Sequence, residues 1–137
     1  MQLTHKIALD ATLEQIAYFK QAAGTARFTW NWALAEWNRQ FSLGQKPNAM
    51  ALKKQFNAIK YQKFPWLTQM HRDSHAQPFA FLAKAWRKFF TEVREKKRAF
   101  EPKFKKKNRS IDSFYIANDK FKLMNDEVIL PKVGKIT

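Results

Sequence analysis

The chain has 137 residues and 45% hydrophobic content, enough for one packed domain or for a domain with a small companion. Its 26 Lys and Arg against 11 Asp and Glu give a formal net charge of +15, which makes a polyanion the first expected partner, and the absence of cysteine excludes disulfide scaffolds and thiolate zinc fingers. No stretch approaches the roughly 18 consecutive apolar residues of a spanning helix, and the opening residues lack the layout of a signal peptide, so no membrane partner and a cytoplasmic location are expected.

In chain order, Leu3, Ile7 and Leu9 share one face of an alternating pattern, interrupted by His5, which predicts a half-buried strand. Thr12-Leu13-Glu14-Gln15 reads as a capping box opening a helix, with Gly24 as its left-handed end. Thr25 is then the cap of a second helix, in which Trp30, Trp32, Leu34 and Trp37 occupy more than one face and imply burial on several sides. After the breaker Gly44-Gln45-Lys46-Pro47, the spacing of Ala49, Leu52, Phe56 and Ile59 predicts an amphipathic helix, ended by Phe64-Pro65-Trp66. A further helix is predicted from Phe79, Leu82, Trp86, Phe89 and Val93, with Pro78 in its first turn and the helices reaching about Arg98. Past Arg109 the period changes to two. Phe114 and Ile116, Phe121 and Leu123, and Val128 and Leu130 read as strands, the last two pairs joined by an Asn125-Asp126 turn. The expected fold class is therefore α+β, mainly α: a helical bundle inserted into a small β-unit, because a lone N-terminal strand needs a partner.

From Lys84 to Arg109 there are 12 basic residues against three acidic ones. Within this stretch Lys96, Lys97, Lys103, Lys105, Lys106, Lys107 and Arg109 form a run suited to phosphate contact, and the interleaved Phe100 and Phe104 either pin the run down or stack on bases. Arg87, Lys88 and Arg94 lie off the apolar stripe of their helix and are candidates for a nucleic-acid backbone. Trp30, Trp32, Trp37, Trp86, Phe89 and Phe90, at helical spacing, are expected in the core and not as stacking platforms. Arg27 and Asn31, one helical turn apart, either reach nucleic acid or serve packing and capping. His71 and His75 have the spacing of two metal ligands on one helical face, but with no cysteine and with Asp73 off that face no metal site is expected. No acidic constellation for two-metal chemistry is visible, so neither catalytic residues nor a cofactor are expected.

Leu9-Asp10-Ala11-Thr12-Leu13-Glu14-Gln15 and Gly24-Thr25-Ala26-Arg27-Phe28-Thr29-Trp30-Asn31-Trp32-Ala33-Leu34 resemble the opening blocks of the OrfB/TnpB family, transposon-encoded nucleases related to type V CRISPR effectors. Pro65-Trp66-Leu67, Ala85-Trp86-Arg87-Lys88-Phe89-Phe90, Pro102-Lys103-Phe104-Lys105-Lys106-Lys107 and Leu130-Pro131-Lys132-Val133-Gly134 are similar to its later blocks, in the same order. Ala11 stands where the family usually has proline. The resemblance implies a first wedge strand in residues 1–10, a helical recognition lobe in 11–98, also described as helix-turn-helix, and a basic linker with wedge strands of an incomplete barrel in 99–137. It also implies guide RNA and DNA as partners, with Arg72 and Asn118 where the family tends to meet DNA. The family's RuvC-like nuclease and zinc ribbon are not expected here, so the chain is expected to bind without cutting. Two other readings are one piece of an active nuclease completed by a separate part, and a basic helical protein of membrane surfaces.

Overall fold

A computed structural model of the chain describes residues 6–107, 112–117, 120–124 and 126–137. Three helices, α1 (Leu13–Ser42), α2 (Ala49–Lys63) and α3 (Arg72–Arg94), are followed by three short strands, β1 (Lys122–Met124), β2 (Glu127–Leu130) and β3 (Gly134–Ile136). The protein is thus α+β and mainly α.

α1 opens on the expected capping box: Thr12 Oγ1 accepts from Gln15 N at 3.1 Å and Gln15 Oε1 accepts from Thr12 N at 2.9 Å. It does not stop at Gly24. The helix continues for 30 residues, and the expected pair of helices in this region is one. The buried hydroxyls of Thr25, expected to cap a second helix, and of Thr29 instead donate to the carbonyls of Gln21 and Thr25 one turn back, so both are satisfied inside the helix. The left-handed end lies at Gly44 (φ 79°), where Gly44 N donates to Phe41 O and Gln45 N to Gln40 O, the two bonds of a Schellman motif.

α3 begins six residues before Pro78, not at it. His71 Nδ1 accepts from Asp73 N at 3.2 Å and Ser74 Oγ donates to His71 O at 2.6 Å, closing the helix start, while Pro78 only leaves the Ser74 carbonyl without its helical donor. At the other end the helix stops at Arg94, short of Arg98, because Lys96 takes a left-handed conformation (φ 57°) and Lys96 N and Lys97 N close a second Schellman pair on Val93 O and Glu92 O.

Trp32 meets Phe79 and, further along both helices, Trp37 stacks on Trp86 at 5.0 Å, so α1 and α3 run in the same direction. α2 returns between them, with Phe64 against Phe28 and Gln55 against Gln40. Between the three helices lie Leu34, Leu52, Phe56, Leu67, Phe79 and Leu82, with Trp30 and Trp86 at the margin of the same core. The tryptophans expected in the core are there, although Trp32 and Trp37, like Phe89, are only half-buried against it, whereas Phe90, expected with them, is exposed beside Trp86 at the margin.

The sheet is an antiparallel meander, β1-β2-β3, and the pair Met124↔Glu127 leaves the expected two-residue connection. Asn125 of that turn lies outside the described residues, as do Leu3 and His5 of the N-terminal strand. Residues 6–9 are not in a strand; one backbone bond, Asp10 N to Thr137 O at 2.7 Å, joins that end of the chain to the sheet. Phe114 and Ile116 form no strand either, because Phe114 stacks on Phe19 of α1 and Tyr115 lies edge-on to Phe81 of α3. The additional strand, β3, carries the sheet's buried residue, Ile136. Gln15 of the capping box also donates through Nε2 to Lys135 O at 2.8 Å, so one side chain both starts α1 and anchors β3.

Gly24 is helical, and a Cβ there meets only the flexible tip of Arg27 at 3.4 Å, so Gly24→Ala raises stability in denaturant melts by about 0.5–1 kcal/mol. A loss of stability would mean that the chain breaks at this point. His75 is fully buried with neither ring nitrogen bonded, and burial, reinforced by the Lys60 charge, lowers its pKa from 6.5 to about 4. The unfolded chain therefore binds the proton first. Stability falls as pH drops from about 6.5 towards 4, by about 3 kcal/mol, and His75→Phe removes that dependence from a series of melts over this range.

Candidate nucleic-acid interface

The exposed face of α3 carries Lys84, Arg87, Lys88 and Arg94, opposite the buried stripe of Phe79, Leu82 and Trp86. Part of this charge is paired on the helix: Lys88 Nζ lies 3.8 Å from Glu92, and Lys97, just past the cap, lies 2.8 Å from Glu95. Arg94 Nη2 is 3.4 Å from Thr91 Oγ1, and Arg72 is exposed at the first position of the helix. Lys96 occupies the left-handed cap itself.

Residues 103–107, which follow without regular structure of their own, are held by α1. Asn31 reads the backbone of Lys105 in both senses, its Nδ2 donating to Lys105 O at 2.9 Å and its Oδ1 accepting from Lys105 N at 2.8 Å. One residue earlier in α1, the Trp30 indole Nε1 donates to Lys103 O at 2.8 Å. The Lys105 ammonium lies 4.5 Å from the centre of the Trp30 ring, and burial lowers its pKa. Two adjacent helical residues therefore fix two alternate residues of a segment without regular structure. The pinning is done by Trp30 and Asn31, not by Phe100 and Phe104, which are 57% and 50% exposed. Arg98 and Lys103 both approach the Phe100 ring, at 5.1 and 5.8 Å, while Lys103, Lys106 and Lys107 are exposed.

Arg27 is mostly buried and forms an ion pair with Asp112. Arg27 and Asn31 thus hold the C-terminal segment against α1, which is the packing reading of that pair. Asp73 does the same from α3, accepting from Ala117 N at 3.0 Å with Lys120 Nζ at 3.7 Å. Arg109 and Asn118 lie outside the described residues. His71 caps α3 and His75 is sealed in the core, and among the described residues no three His, Cys, Asp or Glu side chains converge to hold a metal ion. No described helix is long and apolar enough to cross a membrane.

Sequence reasoning missed Asp112 and the indole nitrogen of Trp30 as anchors. Only their residue types, a lone acid past a basic run and a tryptophan with one polar atom, hinted at them. Replacing Asn31 by alanine removes both bonds to Lys105 and costs about 2 kcal/mol of stability. Limited trypsin digestion then cleaves after Lys103 and Lys105 faster than in the parent protein; equal cleavage would mean that the segment is not held there.

Residues 1–46 match the family model HTH_OrfB_IS605, a helix-turn-helix domain. No curated protein matches the chain. The described residues of the matched span contain one helix, α1, with its capping box and its Schellman end, so a second helix of the named motif does not lie within residues 6–46. The same span supplies Gln15, Arg27, Trp30 and Asn31, the side chains that hold the rest of the chain in place. Over residues 1–46 the chain is thus similar to the helix-turn-helix domain of OrfB-type transposases.

Proposed function

We propose that this chain binds guide RNA together with DNA and does not itself cut either. The observation that carries the reading is the clamp of Trp30 and Asn31 on residues 103–105, which turns a lysine run into a fixed cationic track beside the exposed charge of α3. A held track meets phosphates without first losing the conformational entropy of a free linker. RNA as a partner rests on the family resemblance and on a positive surface that meets phosphates of either nucleic acid alike. The absence of cutting rests on where the acids are used. Asp73 and Asp112 tie down the C-terminal segment, and Glu36, Glu92 and Glu95 pair with neighbouring cations, so these carboxylates face bases and not one another.

The test is a salt titration of binding to duplex DNA, to structured RNA and to an RNA–DNA hybrid. All three are expected to bind. Replacing Lys103, Lys106 and Lys107 by glutamine should flatten the slope of log K against log salt by roughly 2 to 3, since each lost phosphate contact removes about 0.7 to 0.9. An unchanged slope would leave the run as a solvated segment and move the interface to α3, and binding of duplex DNA alone would remove the RNA partner. In the same preparations, incubation with magnesium or manganese should leave every substrate intact. Cleavage abolished by substituting one acidic residue would overturn the non-cutting reading.

A further inference from the structure

We propose that the cleft between α1 and α3 receives a single unpaired nucleobase from a strand whose phosphates follow residues 103–107, an inference that rests on the nucleic-acid reading above. The cleft has a volume of about 250 Å³ and is walled by Trp30 from α1, Phe81 from α3 and Tyr115 from the C-terminal segment. That is below the roughly 300–1,000 Å³ of sites for drug-sized ligands, and suits a smaller planar one. Phe81 and Tyr115 meet at 89° with ring centres 6.2 Å apart, and both are close to half exposed, so they form a rim and not part of the core. An aromatic rim of this kind offers a face on which any base can stack.

The lining also carries hydrogen-bonding groups with nothing to bond. Gln77 of α3 and Ser113 both line the cleft, and neither side chain has a hydrogen-bond partner among the described residues. A primary amide presents a donor and an acceptor side by side, the arrangement that matches the paired edge of a base. Stacked walls with such an edge are how proteins hold a base taken out of its stack. An ordinary packing gap would have apolar walls alone.

Lys105 joins the cleft to the track. It lines the cleft, its ammonium rests over Trp30, and its backbone is the part of the basic segment that Asn31 holds. A strand following Lys103 to Lys107 therefore has its bases within reach of the opening. In a duplex both the face and the edge of each base are already engaged, so the cleft selects an unpaired residue, in DNA or RNA.

The test uses short single-stranded DNA and RNA oligonucleotides, each carrying one fluorescent adenine analogue, and matched strands with an abasic position in its place. Binding should change the emission of the analogue, and should be weaker for the abasic strand by on the order of tenfold in at least one of the two arms, which identifies the nucleic acid served. Gln77→Leu should bring the base-containing strand down to the abasic affinity while leaving the salt slope unaltered, and Phe81→Ala, checked for an unchanged melting profile, should do the same. Equal affinity for base-containing and abasic strands in both arms, with a normal salt slope, would overturn the base site and leave the phosphate track standing. No binding of any strand by the parent protein would overturn the interface itself.

Discussion

The rest of the structure depends on the two hydrogen bonds between the Asn31 side chain and the backbone of Lys105. Residues 95–121 carry dense positive charge and contain no helix or strand among the described residues, so few of their peptide groups satisfy one another, as Lys120 N does on Ala117 O. The helices satisfy some of them instead. Trp30 and Asn31 take residues 103 and 105, Asp73 takes the amide of 117, and Arg27 holds the side chain of Asp112. Each contact contributes on the order of 1 kcal/mol net, and each spans more than forty residues of chain. The C-terminal part has its path because α1 and α3 are already in place.

That arrangement requires α1 to be long and uninterrupted. Gln15, Arg27, Trp30, Asn31 and Trp37 all act from one helix, with the sheet anchored near its start and the Trp37–Trp86 stack near its end. A break at Gly24 would separate the sheet anchor from the clamp. The parallel course of α1 and α3 then follows from the pairing of Trp32 with Phe79 and Trp37 with Trp86, and it opens the cleft between Trp30 and Phe81 at the level where Lys105 crosses. Packing so many rings has a cost: the indole nitrogen of Trp86, like both nitrogens of His75, is buried without a partner. Each such group costs about 1–3 kcal/mol relative to a satisfied one.

Local signals in the sequence were legible and distant ones were not. The capping box at Thr12, the stripe of α2, and the hairpin register around residues 125 and 126 all depend on neighbours within a few residues, and the structure bears them out for the residues it describes. Gly24 signals a helix end and Pro78 a helix start by propensity, yet helix geometry on both sides, the buried threonines after one and the His71 cap before the other, overrules each. Phe114 and Ile116 have the period of a strand without a partner strand, and period alone does not supply one. β3 is three residues long with a glycine at its start, too short for any pattern. The role of Asn31 was open in the sequence because its partner lies 74 positions away and is a backbone group, which no side-chain spacing encodes.

The distribution of charge separates the two basic surfaces in kind. On α3 and just past its cap, the cations at 88 and 97 have glutamates within 4 Å, so a phosphate arriving there competes with an existing partner for part of its gain. Along residues 98–105 the cations instead face rings, Arg98 and Lys103 over Phe100 and Lys105 over Trp30, which hold them in place without neutralising them. Lys105 is the extreme case, since burial already works against its charge and a phosphate alongside would relieve that cost. A polyanion is therefore drawn most strongly to the segment that α1 clamps, next to the cleft, and α3 extends that surface as a weaker, more easily screened flank.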